Sequence, residues 1–373
     1  MRYVNFLIKP ASSSCNLRCR YCFYADAAAN RTTGCLGRMT QQQAEKLIDR
    51  AYEALSPGGM ASFAFQGGEP TVAGLPFFRA FVAYAKAHKP QKATLQFSIQ
   101  TNGTLLDADW IAFLKQEHFL VGISLDGFRD NHNCNRIDAS GNGTWSTCMD
   151  ALGMLKKAEV PINALCVVTG SCARHPKKVY ESLKHLGFSY LQFIACMDPL
   201  GEPRGKRPWS LTPQAYGRFL CQLFDLWYQD WAQGNYHSIR LFDDYIHILL
   251  SDGCSTCATC GTCGGYFVAE ADGSLYPCDF YVLDRWKLGD LDSGPLEELR
   301  QGAVYTDFLS LGAKKPQACQ SCKWQKLCGG GCKNDWVERD GIVENYFCPA
   351  FRALFDYAFP RMLRIAQAER QYR

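Results

Sequence analysis

Cys15-Asn16-Leu17-Arg18-Cys19-Arg20-Tyr21-Cys22-Phe23-Tyr24 is the stretch on which the fold turns. Its three cysteines follow the spacing C-x3-C-x2-C. An iron–sulfur cubane holds four irons and is closed by four protein ligands. Three thiolates leave one iron open, as a catalytic zinc keeps one position open for chemistry. Ferredoxin runs, which supply a closed set, are spaced differently. The motif points to a site where a small molecule binds iron directly. The plain alternative is three buried cysteines that fall close together in a chain holding 20 of them.

Working outward, the apolar run Val4-Asn5-Phe6-Leu7-Ile8 precedes the loop. Beyond it, short apolar runs alternate with amphipathic stretches. The expected strands are Val4–Ile8, Ser62–Phe65, Leu95–Ile99, Leu120–Ser124, Ile162–Val168 and Tyr190–Ile194. The expected helices are Gln41–Leu55, Leu75–Ala87, Ala108–Gln116, Trp145–Lys157 and Pro176–Leu186. Six β-then-α repeats imply parallel strands with crossover helices. Residues 23–40 are expected to be irregular, and a long connection of that kind is often functional.

Polar residues and glycines close each strand. After the cysteine loop come Gln66-Gly67-Gly68-Glu69-Pro70, Gln100-Thr101-Asn102-Gly103, Ser124-Leu125-Asp126-Gly127, Val168-Thr169-Gly170 and Ala195-Cys196-Met197-Asp198. Active sites of (β/α) barrels are assembled at the carboxyl ends of successive parallel strands. The expected fold class is α/β, a partial (β/α)6 TIM-type barrel whose open side admits a macromolecular substrate. Residues 205–250 look like a helical bridge, 254–348 are rich in cysteine and glycine, and Arg352 to Ala368 suits a closing helix. The expected domains are 1–235, the barrel with its bridge, and 236–373, the cysteine-rich part with the C-terminal helix.

The net charge of +4 is spread along 373 residues, with no basic run and no acidic tail. Nucleic acid is therefore not the expected partner. No charged leader precedes the first strand, and no apolar stretch approaches a membrane span. The expected location is the cytoplasm, without membrane attachment. In that reducing compartment cysteines more often bind metal than pair. Seven cysteines are scattered through 23–253, whereas ten lie in tight groups in 254–348.

Cys319-x2-Cys322-x5-Cys328-x3-Cys332 is followed by Cys348. A zinc ribbon would use two C-x2-C pairs, and this run has one. Upstream, Cys254, Cys257, Cys260 and Cys263 are evenly spaced, so the pairs 254/260 and 257/263 share one separation. A zinc or ferredoxin-like site made from all four is a further alternative.

Gly67-Gly68-Glu69-Pro70, about forty-five residues past the cysteine loop, resembles the G-G-E-P element of radical S-adenosylmethionine (SAM) enzymes. C-x3-C-x2-C is the hallmark of that superfamily. A glycine pair lets main chain approach the SAM ammonium closely, and Glu69 either accepts from it or works within the turn. The resemblance implies SAM contacts from Tyr21, Gln66, Gly67, Gly68, Glu69, Gln100, Thr101, Asn102 and Ser124. For the last four the alternative is ordinary turn chemistry. The later cysteines resemble the SPASM extension of radical SAM peptide-modifying enzymes. That likeness implies two closed auxiliary 4Fe–4S clusters, the first held by Cys257, Cys263, Cys278 and Cys332. The second would be held by Cys319, Cys322, Cys328 and Cys348, with Cys254 and Cys260 left as spare thiols.

The blocks Leu7-Ile8-Lys9-Pro10-Ala11-Ser12-Ser13, Phe63 to Thr71, Gln100 to Leu105, Tyr276-Pro277-Cys278-Asp279-Phe280-Tyr281 and Tyr357 to Arg361 resemble anaerobic sulfatase-maturating enzymes. The resemblance implies oxidation of a cysteine or serine in a sulfatase C/S-x-P/A-x-R motif to Cα-formylglycine. A 5′-deoxyadenosyl radical would abstract hydrogen from the target's Cβ. It assigns Asp279 as catalytic base, against the plainer role of capping the Pro277 turn. Tyr24, Gln66 and Asp198 become the substrate-binding residues, although Asp-Pro is also a common turn. The implied cofactors are SAM and three 4Fe–4S clusters. The implied partners are an unfolded sulfatase polypeptide and a flavodoxin- or ferredoxin-type reductant, for an enzyme acting as a monomer. The rival is a maturase forming thioether or other crosslinks in a ribosomal peptide. It shares both cysteine groups but usually carries an N-terminal peptide-clasping domain, for which there is no room before the first strand. A non-enzymatic iron–sulfur electron carrier is opposed by the open cysteine site and by G-G-E-P.

Overall fold

Along β1 (Tyr3–Ile8) the buried residues are Val4, Phe6 and Ile8, the period of two expected of a strand. The strands that follow are β2 (Met60–Phe65), β3 (Thr94–Thr101), β4 (Leu120–Ser124), β5 (Ile162–Val168), β6 (Tyr190–Ala195) and β7 (Ser238–Ile239). They are completed by β8 (Phe267–Ala269), β9 (Ser274–Tyr276), β10 (Gly289–Asp290), β11 (Trp336–Arg339) and β12 (Ile342–Asn345). These assignments come from a computed structural model, which describes residues 1–371.

The chain forms two compact units. The first comprises Met1–Ser124, His132–Ile162 and Gly264–Phe308; the second comprises Leu125–Asn131, Asn163–Cys263 and the residues from Leu309 on. In the first unit β1 to β4 run parallel in a register that sets Phe6 beside Phe63 and Phe63 beside Phe97. One step on, Ile8 pairs with Phe65 and Phe65 with Ile99. Phe63 and Phe97 stack at 6.0 Å between ring centres, and Phe65 meets Phe78 at 4.8 Å. This aromatic layer fixes the register, because a slip of one residue would turn every ring to the other face. Lys9 and Gln66 therefore leave β1 and β2 level, beside Gln100 near the end of β3. In the second unit β5, β6 and β7 are also parallel.

The expected α/β class and its parallel strands hold, with crossover helices. The helices are α1 (Phe23–Ala29), α2 (Gln41–Glu53), α3 (Leu75–Ala87), α4 (Ala108–Gln116), α5 (Arg129–Asn135), α6 (Trp145–Lys157), α7 (Pro176–His185), α8 (Pro213–Ala232) and α9 (Arg240–Leu250). Shorter ones follow as α10 (Cys257–Cys260), α11 (Leu296–Gln301), α12 (Ala303–Ala313) and α13 (Gln325–Cys328), before the long α14 (Cys348–Gln371). Residues 23–40 are only partly irregular. Their first third forms α1, an alanine-rich segment of high helix propensity, capped by the Cys22 thiol. The bridge is α8 and α9 with β7 between them, and the closing helix begins at Cys348 rather than Arg352.

Gly264–Phe308 lies within the cysteine-rich stretch yet belongs to the first unit. It joins there because β8 pairs in parallel with β1, setting Phe267 beside Phe6 and Ala269 beside Ile8. Strands β9 and β10 then add in antiparallel fashion. Cys278 and Asp279 are thereby brought into the unit that holds the N-terminal cysteine loop. Among the described residues no helix is long and apolar enough to cross a membrane.

Candidate active site and cluster ligands

The N-terminal cysteine loop is held by its backbone. Arg18 N–H donates to the Ile137 carbonyl at 2.7 Å and Arg20 N–H to the Asn135 carbonyl at 3.0 Å. The Arg136 guanidinium lies 5.5 Å from the Tyr21 ring centre. Cys15 Sγ accepts from Leu17 N–H at 3.3 Å, and Cys22 Sγ accepts from Ala25 N–H at 3.4 Å. Cys15, Cys19 and Cys22 all lie outside any disulfide. Burial pushes the Cys15 thiol up to about 11, and Glu69 and Cys22 add to the rise. A thiol in such a place is a poor anion alone; a bound metal deprotonates its thiol ligands outright. The donor set fits an iron cluster.

The G-G-E-P turn is pressed onto this loop. Gly68 N–H donates to the Ser12 carbonyl at 2.9 Å, and Glu69 N–H to the Ser14 carbonyl at 2.8 Å. A Cβ on Gly68 would lie 2.1 Å from the Ser14 carbonyl oxygen, so only glycine fits. Glu69 is 1% exposed. Its Oε1 accepts from Thr71 N–H at 3.1 Å and from the Thr71 and Thr101 hydroxyls, both at 2.7 Å. Its Oε2 accepts from Asn102 N–H at 2.8 Å. Burial pushes the Glu69 carboxyl up while these donors pull it down. The Asn102 side chain donates to Asn16 Oδ1 at 3.0 Å and reaches Cys15 Sγ at 3.9 Å. Gln100 donates to Ser124 Oγ at 3.0 Å. Gln66, Gly67, Gly68, Gln100 and Ser124 are half-buried along this rim, whereas Glu69 and Thr101 lie inside it.

Asp279 sits at the same strand ends. Its Oδ1 lies 2.5 Å from Lys9 Nζ, and its Oδ2 accepts from Gln66 Nε2 at 3.2 Å. Its own N–H donates to Tyr266 Oη at 3.4 Å, and that hydroxyl lies 3.8 Å from Cys278 Sγ. Lys9 is fully buried, with Nζ 3.7 Å from the Tyr24 ring centre. The Tyr24 hydroxyl donates to Glu270, which also binds Arg31 at 2.6 Å. Burial and the Glu270 charge push the Tyr24 phenol well above its ordinary value. Sequence reasoning did not single out Lys9, Arg31, Tyr266 or Glu270. The only advance signal was a charged residue placed directly after an apolar strand, Lys9 after Ile8.

The second unit holds the other cysteines expected as cluster ligands, apart from Cys278 in the first. Cys254 and Cys260 form a disulfide, while Cys257 and Cys263 are free. Burial raises the Cys257 thiol, and Cys263 raises it further. Cys328-Gly329-Gly330-Gly331-Cys332 carries three consecutive glycines at positive φ, 63°, 86° and 69°. That left-handed run costs glycine least. It also lets the Cys257–Cys263 loop approach, since a Cβ on Gly261 would lie 2.6 Å from the Gly329 carbonyl oxygen. Burial raises the Cys319, Cys328 and Cys348 thiols, Cys328 up to about 11, and neighbouring thiols of the group, Cys322 among them, add to the rise. Among the described residues no three His, Cys, Asp or Glu side chains form a group suited to one metal ion. Asp198 is in this unit, and its carboxylate accepts from Gly205 N–H at 2.9 Å and from the Ser210 hydroxyl.

An open three-thiol loop with a G-G-E-P turn at the carboxyl ends of parallel strands defines a radical SAM protein. The Radical SAM superfamily model matches residues 10–183, and the SPASM iron–sulfur cluster-binding domain matches 257–323. The chain is 44% identical over 365 residues to the cysteine-type anaerobic sulfatase-maturating enzyme of Clostridium perfringens, covering 97% of this chain and 98% of that one. It is 31% identical over 332 residues to the serine-type enzyme of Klebsiella aerogenes, covering 88% of this chain and 79% of the other. A solved structure of native anSMEcpe with bound AdoMet and Kp18Cys peptide superposes with a TM-score of 0.93 at 43% identity, covering 98% of this chain and 99% of that one. The chain belongs to the family of anaerobic sulfatase-maturating enzymes.

Proposed function

We propose that this protein oxidises a cysteine or serine in a sulfatase C/S-x-P/A-x-R motif to Cα-formylglycine, with cysteine the favoured target. The observation that carries this is one compact unit holding the Cys15–Cys22 loop, the Gly67–Glu69 turn and the Asp279 carboxylate. The preference for cysteine draws on the greater identity to the cysteine-type relative.

Cys15, Cys19 and Cys22 would hold the SAM-binding cluster. Tyr21, Gln66, Gly67, Gly68, Gln100, Asn102 and Ser124 would face SAM, with Glu69 and Thr101 acting through the turn they brace. Cys257, Cys263, Cys278 and Cys332 would hold one auxiliary cluster, and Cys319, Cys322, Cys328 and Cys348 the other. Bound there, SAM and the clusters would supply radical hydrogen abstraction at the target's Cβ and an acceptor for the second electron.

The protein's own groups handle the proton. Asp279 Oδ2 would accept it from the target thiol or hydroxyl, and Gln66, bonded to that oxygen, would orient it. Tyr24 contributes the wall of the pocket, and Asp198 a polar group for the peptide. The division of labour would follow residues 1–235 for radical generation and 236–373 for the auxiliary clusters. An unfolded sulfatase chain is the partner, a flavodoxin- or ferredoxin-type protein the reductant, and the enzyme works as a cytoplasmic monomer.

Anaerobic incubation with SAM, dithionite and a peptide carrying Cys-x-Pro-x-Arg tests this. Mass spectrometry should show the cysteine converted to an aldehyde and one 5′-deoxyadenosine released per conversion. A thioether crosslink in its place would transfer the chain to the peptide-maturase class.

A further inference from the structure

We propose that Lys9 is a positioning residue for the Asp279 carboxylate, holding Oδ1 so that Oδ2 alone is presented to the substrate. This rests on the assignment of Asp279 as base.

Four contacts fix Lys9. Its N–H donates to the Ala269 carbonyl at 2.8 Å, tying it to β8. Its stem lies against Gly67, where a Cβ would come within 3.2 Å of Lys9 Cβ and Cγ. Its ammonium stands 3.7 Å from the Tyr24 ring centre and 2.5 Å from Asp279 Oδ1. The ring is in turn held by its hydroxyl's bond to Glu270, which Arg31 also binds. The cation therefore has little freedom, and the oxygen it binds is fixed with it.

The two carboxylate oxygens are treated differently. Oδ1 carries the short contact to a fully buried ammonium, while Oδ2 carries the longer bond from half-buried Gln66. A planar carboxylate pinned at one oxygen has its other oxygen aimed. In the proton transfer the S–H or O–H bond of the target breaks and an O–H bond forms at Oδ2. Neither an electron nor the transferred proton passes through Lys9. Lys9 also supplies the charge that makes a buried carboxylate tolerable. A misplacement of about 1 Å in a reacting group costs up to about a hundredfold in rate.

The experiment compares the reconstituted wild type, Lys9→Met, Asp279→Asn and the double variant under anaerobic turnover of a Cys-x-Pro-x-Arg peptide. It measures iron content, peptide affinity, 5′-deoxyadenosine and formylglycine. Lys9→Met should still release deoxyadenosine and bind peptide within about twofold of wild type, while aldehyde formed per deoxyadenosine drops by about ten- to a hundredfold. The double variant should match Asp279→Asn, because Lys9 has nothing left to position. A Lys9→Met ratio equal to wild type overturns the proposal, as does a double variant lower than Asp279→Asn by the full Lys9 factor. Lost peptide affinity would make Lys9 a binding residue and equally overturn it. If Lys9→Met does not fold, the double variant decides, since it removes both buried charges together. An Asp279→Asn enzyme with normal product refutes the base assignment itself, a separate failure from that of Lys9.

Discussion

Glu69 accepts the Asn102 backbone N–H at 2.8 Å, joining the turn after β2 to the end of β3. Four donors converge on that one carboxylate, from Thr71, Thr101 and Asn102. Glutamine keeps the shape but places an NH2 where an acceptor is required. A buried donor left without its acceptor costs about 1–3 kcal/mol. Glu69→Gln should lower the unfolding free energy by that amount and reduce SAM affinity, because the Gly67–Gly68 main chain shifts. Denaturant titration and SAM binding by equilibrium dialysis measure the two. Unchanged stability with lost SAM binding would instead make Glu69 a direct ligand.

The eleven cysteines assigned as ligands, none of them in a disulfide, fall into groups of three, four and four. The reconstituted chain should hold about twelve irons. Replacing Cys15, Cys19 and Cys22 together with alanine should leave about eight and abolish SAM cleavage. An iron count unmoved by the triple change would refute the N-terminal cluster.

Apolar patterning made β4, β5, α3, α4 and α6 legible to the residue, because each is an apolar run or face with punctuated ends. β8 was not legible, since three residues, Phe267–Ala269, are too few to show a period and their partner β1 lies far off in sequence. That pairing is what carries Asp279 to Lys9. The resemblance presented Asp279 as a base, but Lys9 gains meaning only when the two strands meet. Glu69 was open to two roles in the sequence; in the fold it is buried and accepts from four donors.

Cys254 and Cys260 are bonded to each other, whereas Cys257 and Cys263 stand outside the disulfide. Alanine at both Cys254 and Cys260 should leave the iron content unchanged. Alanine at Cys257 and Cys263 should remove about four irons. The reverse result would move the ligand register by one step along the evenly spaced run.

Asp335 is 18% exposed, and its carboxyl is pushed up to about 6 by burial, with Arg204 at 3.9 Å pulling it down only in part. A folded-state value above the ordinary carboxylate range means the ionised form is penalised. That penalty is fully present above about pH 6 and fades as pH falls toward about 4, where the unfolded chain also takes up the proton. Asp335→Asn should therefore stabilise the protein at pH 8, by about 3 kcal/mol. The advantage should shrink at pH 5.5. Thermal melts at the two values check the sign, and an equal or reversed difference at pH 8 would contradict it.

Asp279 and Tyr24 are both within reach of Lys9, yet only one is suited to take a proton. The Tyr24 phenol already donates to Glu270 and is held far above its ordinary value by burial and that charge, so its anion is not available. Asp279 Oδ2 carries a single long bond and keeps room to accept. Asp279→Asn is nearly isosteric, so iron content and 5′-deoxyadenosine release should survive. A positioned base contributes about 10²–10⁴-fold, and formylglycine per deoxyadenosine should fall by at least about a hundredfold. Tyr24→Phe should lower stability by about 1 kcal/mol through the lost bond to Glu270, while leaving that ratio within a few-fold of wild type. Quantifying both products from one anaerobic reaction separates the two variants. A ratio that collapses in Tyr24→Phe and persists in Asp279→Asn would move the proton path from the Asp279 carboxylate to the Tyr24–Glu270 pair.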